Sequence, residues 1–78
     1  MKWEYACITG TTKRAGISWV WNFVFYGPDG SKELTGESVI TILNSIGQDG
    51  WEVLGVETLP GVDFATVRNF WLKRTARH

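Results

Sequence analysis

A chain of 78 residues makes one small domain, in which folding buries only about 60–65% of the extended chain's surface. Its eight acidic and eight basic side chains cancel, which argues against a strongly basic nucleic-acid-binding protein. No apolar run reaches the ~18–20 residues of a membrane-spanning helix, and the single cysteine allows neither a disulfide nor a cysteine pair for a metal. We expect no cofactor and no metal site.

The amino-terminal residues favour a cytoplasmic location. Met1 to Tyr5 lack the apolar segment and small-residue cleavage site of a signal peptide. A lone free cysteine fits a reducing compartment. We expect a cytoplasmic protein, of a bacterium or of a phage-infected cell, without a membrane partner.

The first half of the chain predicts two strands joined by a long loop. Residues 2–9 read as a strand, and 10–16 are a polar connection with glycine at each end, which is typical of a long hairpin loop. Residues 17–26 form the second strand, and 27–30 carry a strong turn signal. Residues 31–34 form a short third strand in one interpretation and a loop in the other.

The second strand is apolar on both of its faces. A half-solvated strand alternates apolar with polar residues, whereas here the second face also carries valines and a tyrosine. In so short a chain, the second apolar face needs cover from another subunit or a ligand. The first face consists of Ile17, Trp19, Trp21, Phe23 and Phe25, and the second of Ser18, Val20, Asn22, Val24 and Tyr26.

Residues 37–46 carry a helical pattern. Thr35 or Ser38 can cap its start, Glu37 suits its positive end, and Gly47 stands where a glycine after the last turn is expected. Apolar residues recur at the spacing i, i+3, i+4, i+7, namely Val39, Ile42, Leu43 and Ile46.

The second half predicts two more strands, at 51–59 and 64–74, joined by a turn at 60–63. Residues 75–78 are a frayed tail of a single domain spanning 1–78. The predicted fold is α+β, a two-layer ββαββ arrangement in which one helix packs on a mainly antiparallel sheet of four to five strands. A ten-residue helix, ~15 Å long, cannot shield both faces of that sheet.

Because one apolar face of the sheet is left uncovered by the helix, we expect a non-enzymatic module that forms a homodimer, or a small ring, through an aromatic sheet face. An accessory subunit that inserts its aromatic strand into a larger assembly is a further hypothesis. The predicted interface residues are Trp19, Trp21, Phe23, Phe25, Tyr26 and Trp71.

The alternative function is the binding of a small, nucleotide-like ligand between subunits, with a cationic rim beside exposed rings. Lys13 and Arg14 reach the same end of the sheet as Lys73 and Arg74 if 31–34 form a loop, and the opposite end if they form a strand. The simpler interpretation is solvated surface charge. Arg68, in mid-strand, faces away from Trp71 and marks a wetter side or an ion pair between subunits.

Two tryptophans and their neighbouring acids allow structural and functional interpretations. Trp51 is either a platform for a planar ligand or a core anchor packed on the helix, and the second is favoured for Trp3 as well. Glu4 and Glu52 can share an acid–base site, but pairing of each with a cation or water is favoured.

No coherent catalytic set is present, so we expect no enzyme. A Cys7–His78 pair requires the frayed tail to fold back onto a strand. The serine and threonine hydroxyls have no neighbouring base in the sequence.

Three motifs resemble one known family. They are Trp3-Glu4-Tyr5, the segment Leu43-Asn44-x-x-Gly47-x-x-Gly50-Trp51-Glu52-Val53, and Lys73-Arg74. Together they resemble a family of very small bacterial and phage proteins, a domain of unknown function. The resemblance implies a small strand–helix–strand fold and carries over no catalytic residue, because that family has no established activity.

Overall fold

The computed structural model describes residues 2–34, 38–61 and 65–76. Within these ranges the chain forms five strands and one helix, and the strand order in the sheet is β3-β2-β1-β5-β4. All neighbouring strands are antiparallel. The elements are β1 Trp3–Ala15, β2 Ser18–Gly27, β3 Gly30–Glu33, α1 Val39–Gln48, β4 Glu52–Pro60 and β5 Thr66–Thr75. An antiparallel sheet with one helix agrees with the predicted α+β class, and the third strand makes the order βββαββ.

Some predictions fall outside the described residues. They concern the possible cap at Thr35, the helix start at Glu37, residues 62–64 of the predicted turn and last strand, and residues 77–78 of the tail. The prediction that the tail frays from residue 75 is wrong, because Thr75 pairs with Trp3 and the Ala76 amide donates to the Lys2 carbonyl at 2.9 Å.

The predicted loop at 10–16 is wrong, because β1 continues through it. Ala15 pairs with Ser18, so the hairpin turns in two residues, and Gly16 takes the positive φ of 64° that such a turn needs. Gly10 serves a different purpose. A Cβ there would lie 2.5 Å from a ring carbon of Phe23, so the glycine makes room for that ring on the facing strand.

One face of the sheet packs against α1, and we call it the helix face. Strand register places Ile8 opposite both Phe25 and Phe70 on this face. Among the described residues, no further layer covers the other face, which we call the open face. The buried core on the helix face consists of Ala6, Ile8, Phe23, Ile42, Ile46, Trp51, Phe70 and Leu72.

The helix begins at the predicted cap. Ser38 lies in extended backbone, and its Oγ accepts a hydrogen bond from the Thr41 amide at 3.2 Å. This bond satisfies one of the free N–H groups at the helix start.

The helix ends later than predicted. Gly47 lies inside α1, Asp49 is the C-cap, and Gly50 is the residue with positive φ, 88°. The amide of Trp51 donates to the Ile46 carbonyl at 3.2 Å, and that of Gly50 donates to Gly47 at 3.0 Å. These two bonds form a Schellman motif, in which the glycine follows the C-cap.

The helix covers only part of the sheet. The molecule measures 47 × 21 × 19 Å, whereas ten helical residues span ~15 Å. Buried residues of β1 extend from Ala6 to Gly10, and residues 13–21 around the β1–β2 turn are exposed. We call residues 11–22 the hairpin half of the molecule.

Candidate functional site

The six predicted interface residues divide between the two faces. Trp19 and Trp21 lie on the helix face in the hairpin half, where they are 48% and 38% exposed. Phe23 is buried, and Phe25 packs against the core. The more aromatic face of β2 therefore belongs partly to the core, and Phe23 is not accessible to a partner. Tyr26 and Trp71 lie on the open face.

Four large aromatic residues mark the open face near the chain ends. They are 45–62% exposed. Register places Cys7 between Tyr26 and Trp71, with Trp3 and Tyr5 on the same side of β1. We call Trp3, Tyr5, Tyr26 and Trp71 the open-face cluster. The expectation that Trp3 anchors the core is wrong. Its period-two spacing with Tyr5 and Cys7 is the sequence signal that places it on the same face of β1 as those residues.

Polar side chains beside the cluster bond to one another across three strands. Thr9 Oγ1 donates to Asn69 Oδ1 at 2.9 Å, and Asn69 Nδ2 donates to Glu57 Oε1 at 3.0 Å. The same Oε1 accepts from the indole N–H of Trp71 at 3.2 Å. These mutual bonds lower the cost of removing the face from water.

The open face carries charges of both signs. The Lys73 ammonium lies 4.4 Å from the centroid of the Trp3 ring, a cation–π contact. Lys73 pairs in register with Glu52, and Glu33 lies on the same face through its pairing with Val24.

The five predicted ligand-binding residues do not form one site. Lys13 and Arg14 are at the β1–β2 turn, whereas Lys73 and Arg74 pair with the start of β1. Along β1, Lys13 lies eight residues from the partner of Lys73, and Arg14 lies ten residues from the partner of Arg74, so ~26–33 Å of strand separates the two groups. The common cationic rim is therefore wrong. The strand β3 adds one reversal of chain direction. The two basic groups therefore lie at opposite ends of the sheet, as predicted if residues 31–34 form a strand.

Arg74 is bound within the protomer. It forms an ion pair with Glu4, and its Nη1 donates to the Asp49 carbonyl at 3.2 Å. Its guanidinium lies 4.2 Å from the Trp51 ring centroid. Trp51 is 7% exposed and meets Phe25 edge to face at 5.8 Å. The core-anchor interpretation of Trp51 and the ion-pair interpretation of Glu4 are confirmed.

A cleft of about 420 Å³ opens on the helix face beside the start of α1. Trp21 stacks with Phe23 at 5.8 Å, and the Arg68 guanidinium lies 5.1 Å from the Trp21 ring. The sequence showed that Arg68 and Trp71 face opposite sides, but it did not show what Arg68 approaches. The cleft is lined by Val20, Trp21, Phe23, Ser38, Val39, Arg68 and Phe70.

The described ranges contain no group of three side chains suited to hold a metal ion. Cys7 is half-buried, with its Sγ 3.8 Å from Thr9 Oγ1, and His78 lies outside the described residues. In the same ranges, no helix is long and apolar enough to cross a membrane.

Comparison with known proteins adds no assignment. No family model matches the chain, and no curated protein matches its sequence significantly. The resemblance carried by Trp3-Glu4-Tyr5 and the central glycine motif stays a prediction.

Proposed function

We propose that this protein is a non-enzymatic interaction module that forms a homodimer through its open face, in the cytoplasm. The open-face cluster carries the proposal. Four large rings, each at least 45% exposed, occupy a sheet face over which the described residues place no layer. Grouped apolar surface of this kind is uncommon on soluble monomers and marks interaction sites.

The size of the face fits a second copy. Ten residues of β5 span ~33 Å, and five strands at ~4.8 Å spacing span ~19 Å. The flat area is about 600 Å² per protomer, and side-chain relief adds to it. Two copies together bury about 1,200 Å² or more, the lower end of stable protein interfaces.

The chemistry of the face suits burial against itself. In a twofold dimer each patch meets its own copy, so a patch of one charge sign would repel. Here Lys73 and Lys13 share the face with Glu33, Glu52 and Glu57, and the whole chain has a net charge of zero. The bonds that link Thr9, Asn69, Glu57 and Trp71 give each of these side chains a partner that remains when water leaves.

Light scattering after size exclusion tests the proposal. We expect the wild-type protein at micromolar concentration to have twice the mass of the chain. The double substitution Tyr5→Lys/Trp71→Lys adds two cations beside Lys73 and should give a monomer. The control Trp19→Lys replaces a similarly exposed ring on the other face and should leave the mass unchanged.

Circular dichroism establishes that each variant retains its secondary structure. A wild-type monomer at 100 μM overturns the proposal, as does an unchanged mass for the folded double variant. A monomer that enters a complex only with a different protein identifies the face as a docking site in a larger assembly, which also overturns the homodimer.

A further inference from the structure

We propose that the cleft beside the start of α1 binds a small planar aromatic anion. The site lies on the helix face, opposite the proposed dimer surface, so it is a second function that does not depend on self-association.

The volume and lining of the cleft fit a small molecule. Its volume of about 420 Å³ lies within the ~300–1,000 Å³ usual for such sites. Most of the lining is apolar or aromatic: the stacked pair Trp21 and Phe23, together with Val39 and Phe70. Flat apolar walls favour a planar ring as the occupant.

Arg68 supplies the charge. Its Nε donates to Thr58 Oγ1 at 3.3 Å, which holds the guanidinium near the Trp21 ring. The two terminal amino groups of the guanidinium can still face a ligand, and they match the two oxygens of a carboxylate. The cleft therefore combines an apolar slot with one bidentate anion-binding group.

The surroundings favour an anion as well. Strand register places Arg14 on the same face as Arg68, and Glu57 and Glu33 on the opposite face. Among the described residues, no acidic side chain lies on the helix face in the hairpin half. A cationic ligand would be repelled by Arg68, which already occupies the cation–π position over the Trp21 ring.

A small molecule fits these observations better than a nucleic-acid strand. Single-strand binding needs a groove that follows several phosphates with several cations. The cleft is bounded, one arginine lines it, and the chain has no net positive charge.

The test uses 2-naphthoate as the probe and 2-naphthylmethanol as its neutral counterpart. Binding is measured by ¹H–¹⁵N chemical-shift titration of the wild-type protein and of two variants, Arg68→Gln and the control Lys13→Gln. Each variant loses one positive charge, but Lys13 is exposed on the open face.

We expect naphthoate to shift the amides around Val39, Arg68 and Phe70, and to bind more tightly than the alcohol. Arg68→Gln should weaken naphthoate binding about ten- to hundredfold and leave the alcohol unchanged, because only the anion uses the guanidinium. Lys13→Gln should bind like the wild type.

Three results of these titrations overturn the proposal. They are the absence of cleft shifts at millimolar naphthoate, equal affinity for acid and alcohol, and equal naphthoate affinity for the two variants. Competition by a thymidine oligonucleotide that binds tighter and perturbs the whole hairpin half would assign the surface to single-stranded nucleic acid instead.

Discussion

Arg74 joins three separate parts of the molecule. Its guanidinium pairs with Glu4 on β1, donates to the carbonyl of Asp49 at the helix end, and lies over the ring of Trp51. A positive charge at this position also suits the negative carboxyl end of a helix. The sequence predicted ligand binding for this residue, and these contacts lead us to expect that it stabilises the fold.

We expect Arg74→Met to lower the free energy of unfolding by about 2 kcal/mol, because three contacts are lost and the half-buried Glu4 carboxylate loses its partner. The free energy of unfolding of Arg74→Lys should lie between those of the wild type and Arg74→Met, since an ammonium cannot make all three contacts. The measurement is urea denaturation at fixed protein concentration. The control Arg14→Met removes an exposed arginine whose Nε donates to the Gly16 carbonyl, and should change stability by less than ~0.5 kcal/mol. Equal stability of Arg74→Met and Arg14→Met would contradict this role.

The end of α1 explains the spacing Gly47-x-x-Gly50-Trp51. The Schellman motif requires a residue with positive φ after the C-cap, and Gly50 supplies it. The next residue, Trp51, donates back to Ile46 and places its ring in the core. The motif therefore encodes the helix end and the start of β4.

Two glycine substitutions in this motif should have opposite effects. A Cβ at Gly47 or Gly50 meets no atom within 4 Å, so packing changes in neither case. Gly50→Ala forces an alanine into a left-handed conformation and should cost about 1–2 kcal/mol. Gly47→Ala lies within the helix and should stabilise by about 0.5–1 kcal/mol. Thermal unfolding of both variants measures this, and destabilisation by Gly47→Ala would contradict the helix end described here.

The helix covers the sheet unevenly along the length of the molecule. It packs over the half of the sheet that contains the chain ends, where Ile8, Ile42 and Leu72 are almost fully buried. Within the part of the chain that the structure describes, the hairpin half has no helix above it. There, β3 pairs only with residues 24–27 of β2, so no outer strand lies beside residues 18–22.

We expect amide hydrogen exchange to reflect this division. Amides of residues 12–21 should exchange faster than those of 6–10 and 70–72, because local opening of the hairpin half exposes little buried surface. Mass spectrometry or nuclear magnetic resonance can follow the exchange. Equal protection of the two halves would show that something covers the hairpin half in solution.

Local sequence patterns determined most of the elements. The aromatic strand, the helix with its Ser38 cap and the two later strands follow from periodicity and capping chemistry, which depend on neighbours within a few residues. The prediction that a loop begins at Gly10 failed, because the ring that requires this glycine belongs to Phe23 on the facing strand, which local patterns do not include.

Only the tertiary structure decided which faces and ends come together. The period-two pattern of β2 indicates that Trp19 and Phe23 share a face. It does not indicate which face the helix covers or how far along the sheet the helix extends. One short strand, β3, reverses the chain direction and thereby separates Lys13 from Lys73. The helix then buries Phe23 and leaves Trp21 beside the Arg68 cleft, because ten helical residues are shorter than the strands beneath them.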